Sequence, residues 1–166
     1  LIEDGRLDEG QRYTAMTGEP VLCSGDALPS LVPGALSESV VGIGTFNIDS
    51  RGRYPGRYRA EVLANLSRKC SRVRMHGSTG IDMAFVAAGI LGAAISFGHH
   101  IWDHAAGVAL VRAAGGVVTD LAGQPWTASS PSAASRSAAP HCPTPTSSTP
   151  ALRRWLRDSW NRTAIR

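Results

Sequence analysis

The sequence predicts an α/β fold, and three observations support this class. Short apolar segments with the composition of buried strands alternate along the chain with longer segments of helix-forming residues. Glycines follow the helical segments at positions where they suit helix ends. The chain has 166 residues, 43% hydrophobic and 18% charged, which is enough for one domain with a single core and argues against a chain that is disordered throughout.

Strands and loops are predicted for the first part of the chain. Residues 10–23 have the pattern of a strand, a turn at Gly18-Glu19-Pro20 and a second strand. Residues 25–35 contain two prolines and predict a loop. The run Val40–Asn47 is apolar and contains glycines, which is typical of a buried strand in an α/β sheet.

Two helices and two strands are predicted next. The segment Tyr58–Cys70 has apolar residues on one helical face and charges on the other, so it predicts an amphipathic helix. Val73–Met75 predicts a strand at a sheet edge. The glycine-bounded segment Gly77–Gly80 opens a second helix over Ile81–Ala88, and Gly92–Phe97 predicts the following strand.

A third helix is predicted to start at Asp103, a favoured N-cap residue, and to stop at Gly115-Gly116. Val117–Asp120 predicts a strand, and residues 122–125 a turn. Residues 83–102 carry no formal charge over a length that could cross a bilayer. Their glycines, Ser96 and histidines favour a buried helix and strand instead, so no membrane span is expected.

The composition changes sharply after Trp126, since 21 of the 24 residues from 127 to 150 are Ser, Thr, Ala or Pro. Such a segment buries too little apolar surface to offset its ordering entropy. The sequence therefore predicts a folded portion over residues 1–127, a disordered linker over 128–150, and a basic tail over 151–166 that could form a short helix.

Charge follows the same boundary. Residues 1–127 hold 11 basic and 12 acidic residues, whereas residues 128–166 hold 6 basic residues and 1 acidic residue. The net charge of +4 therefore arises in the tail. The near-neutral folded portion argues against a nucleic-acid partner, and binding of nucleic acid or an anionic membrane by the tail stays an alternative.

Three cysteines, Cys23, Cys70 and Cys142, lie far apart in the sequence. Their odd number and their spacing exclude a disulfide framework and a zinc ribbon, so reduced thiols are expected. The first residues show no basic region followed by an apolar run, which is the pattern of a signal peptide. Both observations favour a cytoplasmic protein.

Asp103 is the strongest candidate for chemistry. Its carboxylate stands where a strand passes into a helix, at the crevice in which α/β sheets bind ligands, and it suits a hard cation such as Mg²⁺. The helix start behind it attracts phosphate. Two alternatives remain open: Asp103 acts only as an N-cap, or His99, His100 and His104 join it in a transition-metal site.

The residues around Asp103 also resemble a known family. The segment Trp102–Gly107 (WDHAAG), followed by residues 113–120 (AAGGVVTD) and 123–125 (GQP), resembles the second signature of the inositol monophosphatase family. Residues 74–80 (RMHGSTG) are similar to its R-x-x-G-S segment. The resemblance covers about residues 10–127 and implies the C-terminal portion of the layered α/β sugar-phosphatase fold, without the rest of that fold.

The resemblance implies a Mg²⁺-dependent phosphomonoesterase that hydrolyses inositol monophosphate or a related small phosphate ester. Asp103 would bind a cation and contact a substrate hydroxyl. Gly77, Ser78 and Thr79 would contact the substrate through their backbone, and Thr45 would add a small polar contact. Members of the family are often dimers, so a homodimer is expected, and no residue of this chain is expected to perform the catalytic step.

The chain also departs from the family pattern. The first signature, D-P-x-D-G-T, is absent, and with it most of the metal ligands. Ser96 stands where inositol-specific members carry an acidic residue, so the substrate is left open. The tail shows no likeness to the family's last strand and helix. The chain is therefore expected to be a largely inactive fragment whose tail arose by a frame shift, or a non-catalytic binding module.

Overall fold

The computed structural model of the protein describes residues 2–4, 10–98, 100–130 and 132–136. Within these ranges the chain forms short strands, one 3₁₀ helix at Leu36–Glu38 and three α-helices. The strands are β1 (Ile2–Asp4), β2 (Gln11–Thr14), β3 (Leu22–Cys23), β4 (Asp26–Ala27), β5 (Val40–Ile43), β6 (Arg72–Arg74), β7 (Ala93–Ser96), β8 (Val117–Thr119) and β9 (Ala133–Arg136). The helices are α1 (Gly56–Ser67), α2 (Thr79–Ala87) and α3 (Ile101–Ala113).

The described strands form two sheets. Strands β1 to β4 make an antiparallel meander in chain order. The second sheet has the order β6-β5-β7-β9-β8. Strands β6, β5 and β7 are parallel, whereas β9 runs antiparallel to both β7 and β8. The carboxyl ends of β5, β6 and β7 therefore meet at one edge, which is where ligands bind in such sheets.

The core lies on both faces of the five-stranded sheet. On one face, Val41, Ile43 and Ile95 pack with Val62 and Leu66 of α1. On the other face, residues of α2 and α3 pack with Ala94 and Val118, and Tyr13 and Val21 of the meander belong to the same cluster. Because neighbouring residues of a strand point to opposite faces, this gives the layer order α1, large sheet, α2 and α3, meander. The expected layered α/β fold is confirmed.

Most predicted elements are present with shifted ends. The strand-turn-strand over 10–23 is β2 and β3, with Gly18 at a φ of +85° in the turn. The strand predicted over Val40–Asn47 ends earlier, at Ile43. The predicted loop over 25–35 contains the short strand β4. Each of the first two helices begins two residues before its predicted start.

The N-cap assignment of Asp103 is wrong. His100 is the N-cap of α3, and Asp103 lies in the first turn of the helix. The N–H of Asp103 donates to the carbonyl of His100 at 3.1 Å. The helix therefore extends further toward β7 than the N-cap rule predicts, which leaves the Asp103 carboxylate free of a capping role.

The predicted disordered linker is also wrong where the structure describes it, because residues 133–136 form β9 between β7 and β8. Ala133 is 0% exposed, Ala134 is 2% exposed and Ser135 is 0% exposed. Small side chains are suited to a strand that is covered on both faces and bonded on both edges. Backbone hydrogen bonds from the two neighbouring strands stabilise this segment, and the apolar composition of the segment does not reveal them.

Several sequence-based predictions fall on other parts of the molecule. Several positions lie outside the described residues: 137–150 of the predicted linker, the tail over 151–166, Cys142, and His99 of the alternative metal site. Cys23 and Cys70 are free thiols, as expected. None of the described helices is both long enough and apolar enough to cross a membrane.

Candidate functional site at the carboxyl edge of the parallel strands

The predicted substrate-binding and metal-binding residues follow three neighbouring strands at the same edge of the sheet. Thr45 follows β5, Gly77 to Thr79 follow β6, and Ser96 ends β7 ahead of Asp103 on α3. Since these three strands are parallel, the segments after them leave the sheet on the same side. The topology brings together residues that are up to 58 positions apart in the chain.

The loops after β5 and β6 approach each other at Thr45. Gly77 has a φ of +81°, a conformation that side chains other than glycine rarely adopt. A Cβ atom at Gly77 would lie 3.9 Å from Cγ2 of Thr45. The N–H of Gly44 donates to the carbonyl of Ile95 at 2.8 Å, which ties the β5 end to β7.

The loops after β6 and β7 meet at two hydroxyl groups. Oγ1 of Thr79 and Oγ of Ser96 share a hydrogen bond of 2.9 Å. The Ser96 hydroxyl also accepts a hydrogen bond of 3.4 Å from the N–H of Gly98. A Cβ at Gly98 would lie 3.5 Å from Oγ of Ser96 and 3.7 Å from Oδ2 of Asp103. Gly98 therefore lies between the Ser96 hydroxyl and the Asp103 carboxylate, with both inside van der Waals range of its Cβ position.

The first turn of α3 holds Asp103 at the surface beside a buried histidine. Asp103 is exposed, and its charge is favourable at a helix N-terminus. His104 is 0% exposed, and its Nε2 bonds the carbonyl of Gly98 at 3.1 Å. Burial lowers the pKa of His104, partly opposed by the bond to Gly98 and by the charge of Asp103. A neutral His104 that donates from Nε2 therefore fixes the turn between β7 and α3.

A second polar pair at this edge was not predicted from the sequence. Nδ1 of His76 lies 2.5 Å from Oδ1 of Asp82, and Asp82 is 3% exposed. Burial raises the pKa of the Asp82 carboxyl, and the hydrogen bond and charge of His76 oppose that shift. The available signal was a single aspartate within an otherwise apolar helix, because a buried carboxylate requires a partner.

Neither metal prediction is matched by a complete ligand set. Among the described residues, no group of three His, Cys, Asp or Glu side chains is placed to hold a metal ion. His104 bonds a backbone carbonyl, and His100 stacks on Trp102 with ring centroids 4.5 Å apart. Asp103 offers the oxygen ligand that Mg²⁺ prefers, and one carboxylate supplies only part of a magnesium coordination shell.

A separate cleft of about 440 Å³ lies at the opposite edge of the sheet. It is lined by residues around the amino ends of β5 and β7, including Glu38, Ser39 and Gly92. It contains none of the residues that the sequence predicts to bind a ligand. The predicted site and this cleft are therefore distinct features of the described structure.

The fold is that of an α/β protein in which the predicted site residues lie together at the carboxyl ends of three parallel strands. The chain belongs to the inositol monophosphatase family, whose model matches residues 8–152. The match continues past residue 127 and includes β9, which agrees with the place of that strand in the sheet.

Two curated relatives are mycobacterial proteins. The chain is 71% identical over 123 residues to the inositol-1-monophosphatase ImpA of Mycolicibacterium smegmatis. It is 67% identical over 122 residues to the probable inositol 1-monophosphatase ImpA of Mycobacterium tuberculosis. Each match covers 74% of this chain and 45% of the relative, so the chain spans about half the length of these relatives.

A solved structure supports the fold. The inositol monophosphatase from Anabaena (Nostoc) sp. PCC 7120 matches with a TM-score of 0.68 and 26% identity. The match covers 77% of this chain and 50% of that one. The chain therefore has the expected part of the inositol monophosphatase fold.

Proposed function

We propose that this chain is part of a Mg²⁺-dependent phosphomonoesterase that acts on inositol monophosphate or a related small phosphate ester. The observation that carries the proposal is the arrangement at the carboxyl edge, where the Thr79 and Ser96 hydroxyls are hydrogen-bonded and Gly98 has both Oγ of Ser96 and Oδ2 of Asp103 within 4 Å of its Cβ position. Family membership supports the reaction class, since two relatives are named as inositol monophosphatases. Asp103 would serve as one cation ligand and would also contact a substrate hydroxyl.

The remaining residues of the edge would bind the substrate. Gly77, Ser78 and Thr79 would offer backbone groups, and Thr45 would add a hydroxyl beside them. Ser96 is buried at 6% exposure and bonded to Thr79, so it would hold the Thr79 hydroxyl in place without adding a charge at the edge. Neutral hydroxyls donate and accept hydrogen bonds without adding negative charge near a phosphate.

We also propose that the chain of 166 residues has little or no hydrolytic activity by itself. One carboxylate cannot hold the two or three cations that neutralise the negative charge of a phosphoryl group. The homodimer and the cytoplasmic location stay predictions.

Ligand binding is the sharpest test, because it does not require turnover. Amide resonances of a ¹⁵N-labelled chain are followed while inositol 1-phosphate is added with and without Mg²⁺. We expect the amides of Gly77, Ser78 and Thr79 to shift, and Asp103→Asn to abolish the Mg²⁺-dependent part. The matched control is Asp26→Asn, which changes an exposed carboxylate on β4.

Two outcomes would contradict the proposal. Amides of the edge that stay unshifted in the wild-type chain would exclude substrate binding there. Equal Mg²⁺-dependent shifts in wild type and Asp103→Asn would exclude Asp103 as a cation ligand. Phosphate release, measured in parallel on the same samples, tests the separate proposal that the isolated chain is inactive.

A further inference from the structure

The His76–Asp82 pair lies directly beside the predicted substrate loop. His76 follows β6 by two residues and precedes Gly77, while Asp82 lies in the first turn of α2. The two side chains therefore join the beginning of the loop to the helix that follows it. The exposed fractions of the side chains differ, at 31% for His76 and 5% for Asp82.

The surroundings of Asp82 are apolar and tightly packed. A Cβ added to Gly42 of β5 would lie 3.1 Å from Oδ1 of Asp82 and 3.1 Å from Cδ1 of Leu91. The rings of His76 and Phe85 are nearly perpendicular to each other, with centroids 5.7 Å apart. A buried carboxylate destabilises the folded state unless it is hydrogen-bonded, and His76 supplies that bond.

Other contacts hold the far end of the loop. Oγ of Ser78 accepts a hydrogen bond of 3.4 Å from the N–H of Ile81 and caps α2. Thr79 bonds Ser96 of β7. The His76 imidazole is the side chain that fixes the near end, where the backbone turns through the positive φ of Gly77.

We propose that His76 and Asp82 are positioning residues that hold the loop Gly77–Thr79 in its ligand-binding conformation. Nδ1–H of His76 donates to the buried carboxylate, and this bond sets the direction in which the chain enters the loop. The inference rests on the proposed function in so far as the loop binds substrate. Its first test uses the chain without ligand and is therefore independent of that function.

The first experiment measures loop rigidity. Heteronuclear ¹⁵N relaxation is recorded for Gly77, Ser78 and Thr79 in the wild-type chain, in His76→Leu and in His76→Asn. Leu removes the donor, whereas Asn keeps a donor close to the position of Nδ1. We expect fast loop motion in His76→Leu and recovery of rigidity in His76→Asn. Met75→Leu, at a neighbouring residue that is 41% exposed, is the matched control.

A spectroscopic signature separates positioning from simple packing. The imidazole ¹⁵N shifts of His76 report which ring nitrogen carries the proton. We expect a protonated Nδ1 in the wild-type chain and a changed Nδ1 shift in Asp82→Asn, in which the carboxylate acceptor is absent. An Nδ1 without a proton would overturn the inference.

Two relaxation results would also overturn it. The first is an unchanged loop in His76→Leu. The second is an equal loss of rigidity in the loop and at the buried residues Val86 and Ile95. Such a result would show that the His76–Asp82 pair stabilises the whole fold and not the loop in particular.

The second experiment tests binding. The Kd for inositol 1-phosphate with Mg²⁺ is compared in the wild-type chain and the same variants. If the competent loop conformation falls to about a tenth of the population, the apparent Kd rises about tenfold. We expect this rise in His76→Leu and a smaller rise in His76→Asn. An unchanged Kd in His76→Leu would overturn the inference.

The two proposals fail differently. A wild-type chain that does not bind inositol 1-phosphate contradicts the proposed function. A rigid loop in His76→Leu contradicts the positioning role, whatever the ligand proves to be.

Discussion

Oγ1 of Thr79 lies 2.9 Å from Oγ of Ser96, and this contact joins the first residue of α2 to the last residue of β7. Ser96 is 6% exposed, so its hydroxyl is largely removed from water. The pair connects two of the three loops that form the candidate site. It is therefore both a structural contact and part of the surface that would meet a ligand.

Replacement of Thr79 by Val keeps the shape of the side chain and removes the hydroxyl. The buried Ser96 hydroxyl then loses one partner, so we expect the free energy of unfolding to fall by about 1 kcal/mol. Urea denaturation measures the change. Thr17→Val, at an exposed threonine, should stay within about 0.5 kcal/mol of the wild type. Equal stability of both variants would show that the bond is not formed in solution.

Replacement of Gly107 by Ala should destabilise the protein although alanine favours helices. A Cβ at Gly107 of α3 would lie 2.5 Å from Cβ of Met83 on α2. We expect overpacking to cost about 1–3 kcal/mol, which outweighs a propensity gain of about 1 kcal/mol. Thermal denaturation provides the measurement, with Gly34→Ala as control because nothing lies within 4 Å of that Cβ. A more stable Gly107→Ala variant would contradict the close packing of α2 on α3.

Replacement of Ala134 by Asp tests whether β9 lies within the sheet. Ala134 is 2% exposed and pairs with Ile95 of β7 and Thr119 of β8. An unpaired carboxylate there should cost several kcal/mol or abolish cooperative unfolding. The control is Ser129→Asp, an exposed position in the same Ser/Ala-rich segment, which should cost less than about 0.5 kcal/mol. Similar stability of the two variants would show that residues 133–136 are not a buried strand of the sheet.

Replacement of Asp82 by Asn should change how stability depends on pH. Burial raises the pKa of Asp82 in the folded state, so the folded protein binds this proton more tightly than the unfolded chain. The resulting stabilisation is complete below the ordinary carboxyl pKa of 3.8 and is lost as pH rises through the folded-state value.

The measurement is the unfolding free energy of both proteins from about pH 3 to about pH 7, the range around an ordinary carboxyl pKa. The wild-type value minus the Asp82→Asn value should decrease as the pH rises. A difference that stays constant over this range, or increases with pH, would contradict the effect of burial on Asp82.

Local patterns predicted the helices and the parallel strands correctly because each pattern repeats with the period of its element. The apolar face of α1 predicted a helix for this reason, and the short apolar runs of β5 and β7 predicted strands. The helix ends were less accurate, since α3 begins at Ile101 ahead of the predicted cap. Residue type alone does not decide burial either, since Trp102 is 72% exposed whereas Trp126 is buried.

The sequence by itself determined the α/β class, the family resemblance and the residues Thr45, Gly77, Ser78, Thr79 and Asp103 as candidates. Only the tertiary structure decided that β9 is a buried strand, that Thr79 meets Ser96, and that Asp82 is buried against His76. The physical reason is that strand pairing and buried polar contacts join residues far apart in the chain. Their energy depends on what each side chain meets, and no local pattern of residue types contains that information.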